Sequence, residues 1–526
     1  MAQSELQRIE AEIDDAFANN ALAKLPFAQS AWTLLSVVED HNFKITVVSP
    51  LEENLAAIFV DGLMNALAYP LRACYQSSVK GSAPFKRELV DEHYELAYKW
   101  LEASKDYVHF CSIFSLYHAN EIELHVKGHN LVPSDWSNHD LSYEAYNRFV
   151  AKRDPEYEPI LRPNLILRQL KACMRVSGGV YSVDFTRRLM DELTTAFQDT
   201  FKSRHTLPEN WQFTRFSLAD YRKVFTSLQS MAATWFLARQ LVAADGAPAL
   251  AFASALWTPR RGVLVATLAR HTGLKKAVVT DVLQYLTFGE MGIRKPDIAI
   301  QPIVDLTNGQ YAVSPFVMAH VHAERNLCVL LNQIPNERQR YLQLVEEKEQ
   351  QVRSETIASL SELGLDFKYG QLADTDIDLA IIDRKAKQCL CVEIKWFIEP
   401  AEIREVLAKT EELIKGTAQA RKISKAFLEN NNRLMSLLDI DQSYDFLTIV
   451  GSVNFIGGHR AQHPDVPITK LWHLASEIRK RGGLDGVLEW LRSRSYLPRR
   501  GQEYKAREIL IQCGEWHSTW YGIGYV

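Results

Sequence analysis

"IDLAIIDRKAKQCLCVEIKWF", residues 377–397, carries the decision about the fold. Two apolar runs, Ile377–Asp383 and Gln388–Phe397, flank the charged turn Arg384-Lys385-Ala386-Lys387 and read as two strands of a hairpin. Within them Asp378, Glu393 and Lys395 stand where core residues are expected. Side chains alternate across a strand, so Glu393 and Lys395 share one face while Val392 and Ile394 take the other, and Asp376 and Asp378 share a face in the same way. Pairing through the turn lets the carboxylates converge near Lys395 at one end of a sheet. Carboxylates at short range repel and are costly to bury unless something positive offsets them. A divalent ion does so, and Mg²⁺ prefers carboxylate and water oxygens. An Asp, a Glu and a Lys around such an ion make a hydrolytic site for a phosphodiester: the ion activates a water, and the lysine orients that water or meets the developing negative charge.

The flanking sequence supplies the other layers. Upstream, "NERQRYLQLVEEKEQQVRSETIASLSELG" (residues 336–364) reads as a polar helix with an apolar stripe at Val345, Val352, Thr356, Leu360 and Leu363, ending at Gly364. "DFKYGQ" (366–371) reads as a strand. Pro400 opens a helix to about Leu428, with Glu402 and Glu405 in its first turn, and "DFLTIVGSVNF" (445–455) is a further strand. The expected order is helix, three strands, helix, strand: a compact α/β unit.

Those residues and that order resemble the PD-(D/E)XK nuclease superfamily, whose motif is an Asp on one strand followed by Glu-X-Lys on the next. Asp378 matches the first acid, and Glu393 with Lys395 the second element. The resemblance spans about residues 336–460 and implies a restriction-endonuclease-like fold, a mixed sheet flanked by helices. It departs from the family in having Ile377 where a proline is common. Several branches carry a Gln on the following helix; here Gln419 lies on a polar face with Lys415 and Lys422, a face suited to the site or to a nucleic-acid backbone. For the family's first-helix glutamate, Glu349 lies on the stripe facing the sheet and Glu355 lies nearer Gly364; both stay open, with Glu346 and Glu347 as further candidates. The resemblance implies an Mg²⁺- or Mn²⁺-dependent phosphodiesterase, a DNA endonuclease of the kind used in restriction or anti-phage defence, with Asp378 and Glu393 as metal ligands. The alternative is a catalytically silent nuclease-like component that binds nucleic acid or protein in a larger assembly. In a purely structural account, Asp378 is a strand-end residue bonded to backbone, and Glu393 with Lys395 is a surface ion pair worth under about 1 kcal/mol.

The chain has 526 residues, enough for two or three domains. Residues 1–255 read as mainly helical, as in "ENLAAIFVDGLMNALAYPLRACY" (53–75), with the polar "KGSAPFKRE" (80–88) as a loop, and are assigned to recognition or regulation. Residues 256–335 read as winged-helix-like: a helix, a turn at Thr272-Gly273, a helix from about Lys275 to Phe288, then a strand pair, "IAIQPIVDLTNGQYAVSPFVM" (298–318), turning at Asn308-Gly309. Lys275 and Lys276 would meet DNA near the start of the second helix. Residues 336–526 form the nuclease-like domain. Cys389 and Cys391 read as buried thiols, and His320 and His322 as an i,i+2 pair on a strand lacking a third metal ligand.

The seven cysteines are odd in number and mostly scattered, and the polar start "MAQSELQRIEAEIDDAF" resembles no secretory signal; no run approaches a membrane span. The expectation is a cytoplasmic protein without a membrane partner, binding nucleic acid, DNA before RNA, with a homodimer or partner protein engaged through the N-terminal region. A formal charge of −4 leaves room only for a local basic groove, for which the stretch from Arg479 to Arg507 is the candidate; the alternative there is a solvated helix face.

Overall fold

The computed structural model describes residues 5–78, 86–87, 90–134, 140–150, 163–177, 180–202, 205–246, 254–372 and 375–526. Apart from Lys86 and Arg87, the loop expected at 80–88 lies outside them. The chain is mixed α/β and divides into two compact units, one of residues 1–110, 155–341 and 512–516, the other of 111–154, 342–511 and 517–526. The expected segments 1–255, 256–335 and 336–526 are consecutive; these units are not, since residues 111–154 join the C-terminal part of the chain.

The first unit is mainly helical. Glu53–Ser77 and Leu218–Ala244 are long helices, the second opened by a capping box in which Ser217 and Asp220 each satisfy the other's backbone N–H. The helix Arg261–Thr272 stops at Gly273, whose φ of 73° is the left-handed cap that glycine adopts without a Cβ penalty. Lys276–Leu286 follows, and strands Ile303–Asp305 and Tyr311–Val313 pair antiparallel through a turn with positive φ at Thr307, Asn308 and Gly309. The expected strand pair is shortened at both ends. Ile298–Gln301 forms turns, and Ser314 caps a helix Pro315–His320, because Pro315 suits a first helical turn and gives a sheet no N–H.

That helix also corrects the histidine pair. His320 ends it, with Nδ1 2.8 Å from the Phe316 carbonyl, and His322 caps the next helix by accepting the Arg325 N–H. Neither sits on a strand.

The second unit is built on a five-stranded sheet. We label its elements α1 (Pro335–Leu360, of which residues from 342 belong here), β1 (Asp366–Gln371), β2 (Asp376–Asp383), β3 (Gln388–Lys395), α2 (Ile403–Leu428), α3 (Asn432–Leu438), β4 (Asp445–Ser452), β5 (Ile468–Lys470) and α4 (Leu471–Arg481). The order across the sheet is β5-β4-β3-β2-β1; β1, β2 and β3 are antiparallel neighbours, whereas β4 runs parallel to β3 and β5 parallel to β4. A parallel neighbour needs a crossover, and α2 supplies the one from β3 to β4. Ala380, Ile382, Cys389 and Cys391 pack under Ile423 and Phe427 of α2 and Leu434 and Leu438 of α3 in one core cluster. The two thiols are buried together within it.

A second sheet, in the order Leu124–Lys127, Asn130–Pro133, Trp516–Tyr525 and Tyr504–Cys513, takes in strands from the region expected to be mainly helical and from residues 504–525. Among the described residues no helix is long and apolar enough to cross a membrane.

Candidate functional site

The site lies where β2 and β3 part. Their ladder runs from Asp383↔Gln388 to Leu379↔Val392, and beyond it the Ile394 N–H is taken by the Asp378 carboxylate, which accepts at 2.8 Å. The cause is a bulge. Lys368 pairs with Ala380 and Gly370 with Ile377, so two steps along β1 match three along β2, leaving Asp378 and Leu379 opposite Tyr369 alone. A bulge re-aims a side chain and breaks alternation. Ile377 packs in the core with Ala380 and Ile382; Asp376 is exposed, and its charge acts on both Asp378 and Glu393.

On β3 the alternation holds. Glu393 is 2% exposed, and its Oε1 accepts from Lys395 Nζ at 2.8 Å, so the pair is buried, not a surface one. Its Oε2 is buried with no hydrogen-bond partner. Burial first, then the charge of Asp378, push the Glu393 carboxyl up to about 7, against the pull of Lys395. Burial raises Asp378 as well, opposed by the Ile394 N–H. Burial disfavours the Lys395 ammonium, but Glu393, Glu349 and Asp378 outweigh it and raise its pKa. The lysine stem runs along α2 at Gly416, where a Cβ would come within 3.3 Å of Lys395 Cε. A helix-interior glycine costs about 1 kcal/mol relative to alanine, and here it gives the lysine its course.

Of the first-helix candidates Glu349 is the one beside β3: its Oε1 accepts the Trp396 N–H at 3.1 Å, and burial raises its pKa while Lys395 lowers it. Glu355 is exposed and bonded to Gln351; Glu346 and Glu347 are exposed. Gln419, half-buried, stands one turn beyond Gly416 on α2. Lys415 and Lys422 are exposed on the same helix, Lys415 bonded to Glu412 at 2.8 Å. Lys275 caps Lys276–Leu286, and Lys276 opens it; both are exposed and belong to the first unit, outside this constellation.

Three cations of the candidate basic groove have partners within the chain. Arg481 bonds Glu477 at 2.7 Å, Arg492 pairs with Asp445, and Arg494 donates to Tyr143 Oη at 3.0 Å.

Sequence reasoning missed Arg353. It lies one turn after Glu349 on α1, and its Nη1 is 3.4 Å from the main-chain oxygen of Asp378. The i,i+4 spacing from a candidate acid was the available signal.

Whether these residues suit a metal ion turns on Glu393. A buried carboxylate oxygen left without a donor is costly, and with Asp378 it offers the hard oxygens that Mg²⁺ takes. Among the described residues no group of three or more His, Cys, Asp or Glu side chains is arranged to hold a metal. Asp378 and Glu393 supply oxygens of the chemical kind that Mg²⁺ takes, an ion commonly held through one or two carboxylates and completed by water and phosphate oxygens. Comparison of the chain with protein-family models, with curated proteins and with solved structures gives no match.

Proposed function

We propose that the second unit is a metal-dependent nuclease of the PD-(D/E)XK kind with a restriction-endonuclease-like core, hydrolysing phosphodiester bonds and acting on DNA. The observation that carries the reading is the meeting of Asp378, Glu393, Lys395 and Glu349 where β2 and β3 part, with one buried Glu393 oxygen lacking a partner. Magnesium or manganese would be held by Asp378 and Glu393, supplying an activated water and neutralising charge on the phosphate oxygens. Lys395, bonded to Glu393 and steered by Gly416, holds an ammonium where charge develops on the phosphate. Glu349 holds the Trp396 backbone, fixing the end of β3, and Gln419 and Lys422 offer donors from α2 to a nucleic-acid strand. Cutting both strands of a duplex commonly takes two active sites, which makes a homodimer the expected state.

A second reading has specific support: Lys395 is tied to Glu393, and Asp378 to the Ile394 N–H. On that reading the unit binds nucleic acid or protein without turnover. Incubating purified protein with supercoiled plasmid, linear duplex, single-stranded DNA and RNA, in Mg²⁺, Mn²⁺ or EDTA and beside Lys395→Ala, separates the two. Cleavage that needs both metal and Lys395 supports the nuclease; metal-independent binding without cleavage by either protein supports the silent component.

A further inference from the structure

Glu349 and Arg353 leave α1 on the same side, one turn apart. Glu349 reaches the end of β3. Arg353 reaches β2 and β1: its Nη1 is 3.4 Å from the Asp378 oxygen, and its guanidinium lies over the Tyr369 ring, 4.3 Å from the centroid. Tyr369 is the single residue opposite the bulge that holds Asp378, on the outermost strand of the sheet, and is 55% exposed. An exposed cation–π pair is worth only about 0.5–1 kcal/mol and could form anywhere along β1, so stability does not explain its position. Its place beside the bulge puts a planar cation against the main chain of Asp378 with an aromatic ring stacked on it.

Their chemistry is complementary to a nucleotide. A guanidinium meets phosphate oxygens through paired N–H donors, and an aromatic side chain takes a base by stacking. We infer that Arg353 and Tyr369 form a nucleotide-binding step beside the site, with the phosphate on Arg353 and an unpaired base on the Tyr369 ring. This rests on the nucleic-acid substrate proposed above and narrows it: inside a duplex both faces of a base are covered by its neighbours, so the preferred substrate is single-stranded DNA or a duplex with a frayed or gapped end.

The test is fluorescence anisotropy of the full chain with labelled single-stranded and blunt duplex oligonucleotides, in EDTA so that binding is read without cleavage. Tyr369→Ala is expected to weaken single-strand binding roughly 5- to 150-fold, the value of one base–aromatic stack, with Tyr369→Phe close to the unaltered protein and duplex binding unchanged. Arg353→Gln should lower the slope of log affinity against log salt by about 0.7, one phosphate contact on a single strand, and Arg353→Lys should restore it. Single-strand affinity within twofold of the original in Tyr369→Ala overturns the inference, as does an unaltered protein that binds single strands no better than duplex or binds neither. Because the readout needs no turnover, a protein that binds through Tyr369 but never cuts leaves this step intact and removes the nuclease assignment. Metal-dependent cutting with single-strand binding indifferent to Tyr369 does the reverse.

Discussion

Lys395 Nζ lies 2.8 Å from Glu393 Oε1, two residues earlier on the same strand, while the other oxygen of that carboxylate is buried without a partner. One oxygen of the carboxylate is paired with the ammonium and the other is not. The pH behaviour of the protein should follow from this.

In the absence of metal, burial raises Glu393 to about 7, and Asp378 and Glu349 are raised with it. Between the ordinary carboxylate range and pH 7 the folded chain then binds more protons than the unfolded one, so stability falls as pH rises through that window. The melting temperature in EDTA should drop from pH 5 to pH 7.5, and Mg²⁺ should raise it most at the upper end, where the carboxylates are ionised. Glu393→Gln should flatten the pH dependence and abolish the Mg²⁺ effect. An unchanged response to Mg²⁺ in that variant would remove Glu393 from the metal site.

Lys395→Met keeps a similar stem along Gly416 but leaves Glu393 without its cation. Breaking a buried pair costs up to about 3 kcal/mol, expressed at pH 8 and shrinking towards pH 5 as Glu393 takes up its proton. Urea denaturation at the two pH values measures the difference. Cleavage should be lost at both.

Asp378 both bonds the backbone and carries charge. Asp378→Asn can still accept the Ile394 N–H, so its melting temperature should stay within a few degrees while metal-dependent cleavage falls at least about 100-fold. Asp378→Ala strands that N–H and should also cost about 1–3 kcal/mol of stability. Equal activity in the Asn variant and the original protein would make Asp378 purely structural.

The two first-helix acids separate cleanly. Glu349→Gln should lower the initial cleavage rate, whereas Glu355→Gln, altering an exposed residue bonded to Gln351, should leave rate and melting temperature unchanged.

Gly416→Ala adds helix propensity of about 1 kcal/mol, but its Cβ meets Lys395 Cε at 3.3 Å and Val450 at 3.4 Å. Stability should be nearly unchanged and the cleavage rate reduced, because the lysine must shift. A faster or equal rate would show that the course of the Lys395 stem is not demanding.

Much of the sheet was legible in the residues. Strand β1 falls on "DFKYGQ", β2 and β3 on the two apolar runs around Arg384–Lys387, and β4 on the start of "DFLTIVGSVNF", because period-two alternation and turn residues are local signals. The strand expected to reach Phe397 ends at Lys395, and α2 begins at Ile403, beyond Pro400. The membership of residues 111–154 in the C-terminal unit was not legible, since it depends on contacts between segments hundreds of residues apart.

By itself the sequence determined the pair Glu393 and Lys395 on one face and the run of alternating strands, because backbone geometry forces side chains two residues apart onto the same side. The tertiary structure alone decided the rest of the site. A bulge, visible only in the pairing of β1 with β2, turns Asp378 onto the Ile394 N–H. The packing of α1 brings Glu349 to the end of β3 and Arg353 to Tyr369. Register and helix docking are settled by contacts between elements, and no local pattern of residue types encodes them.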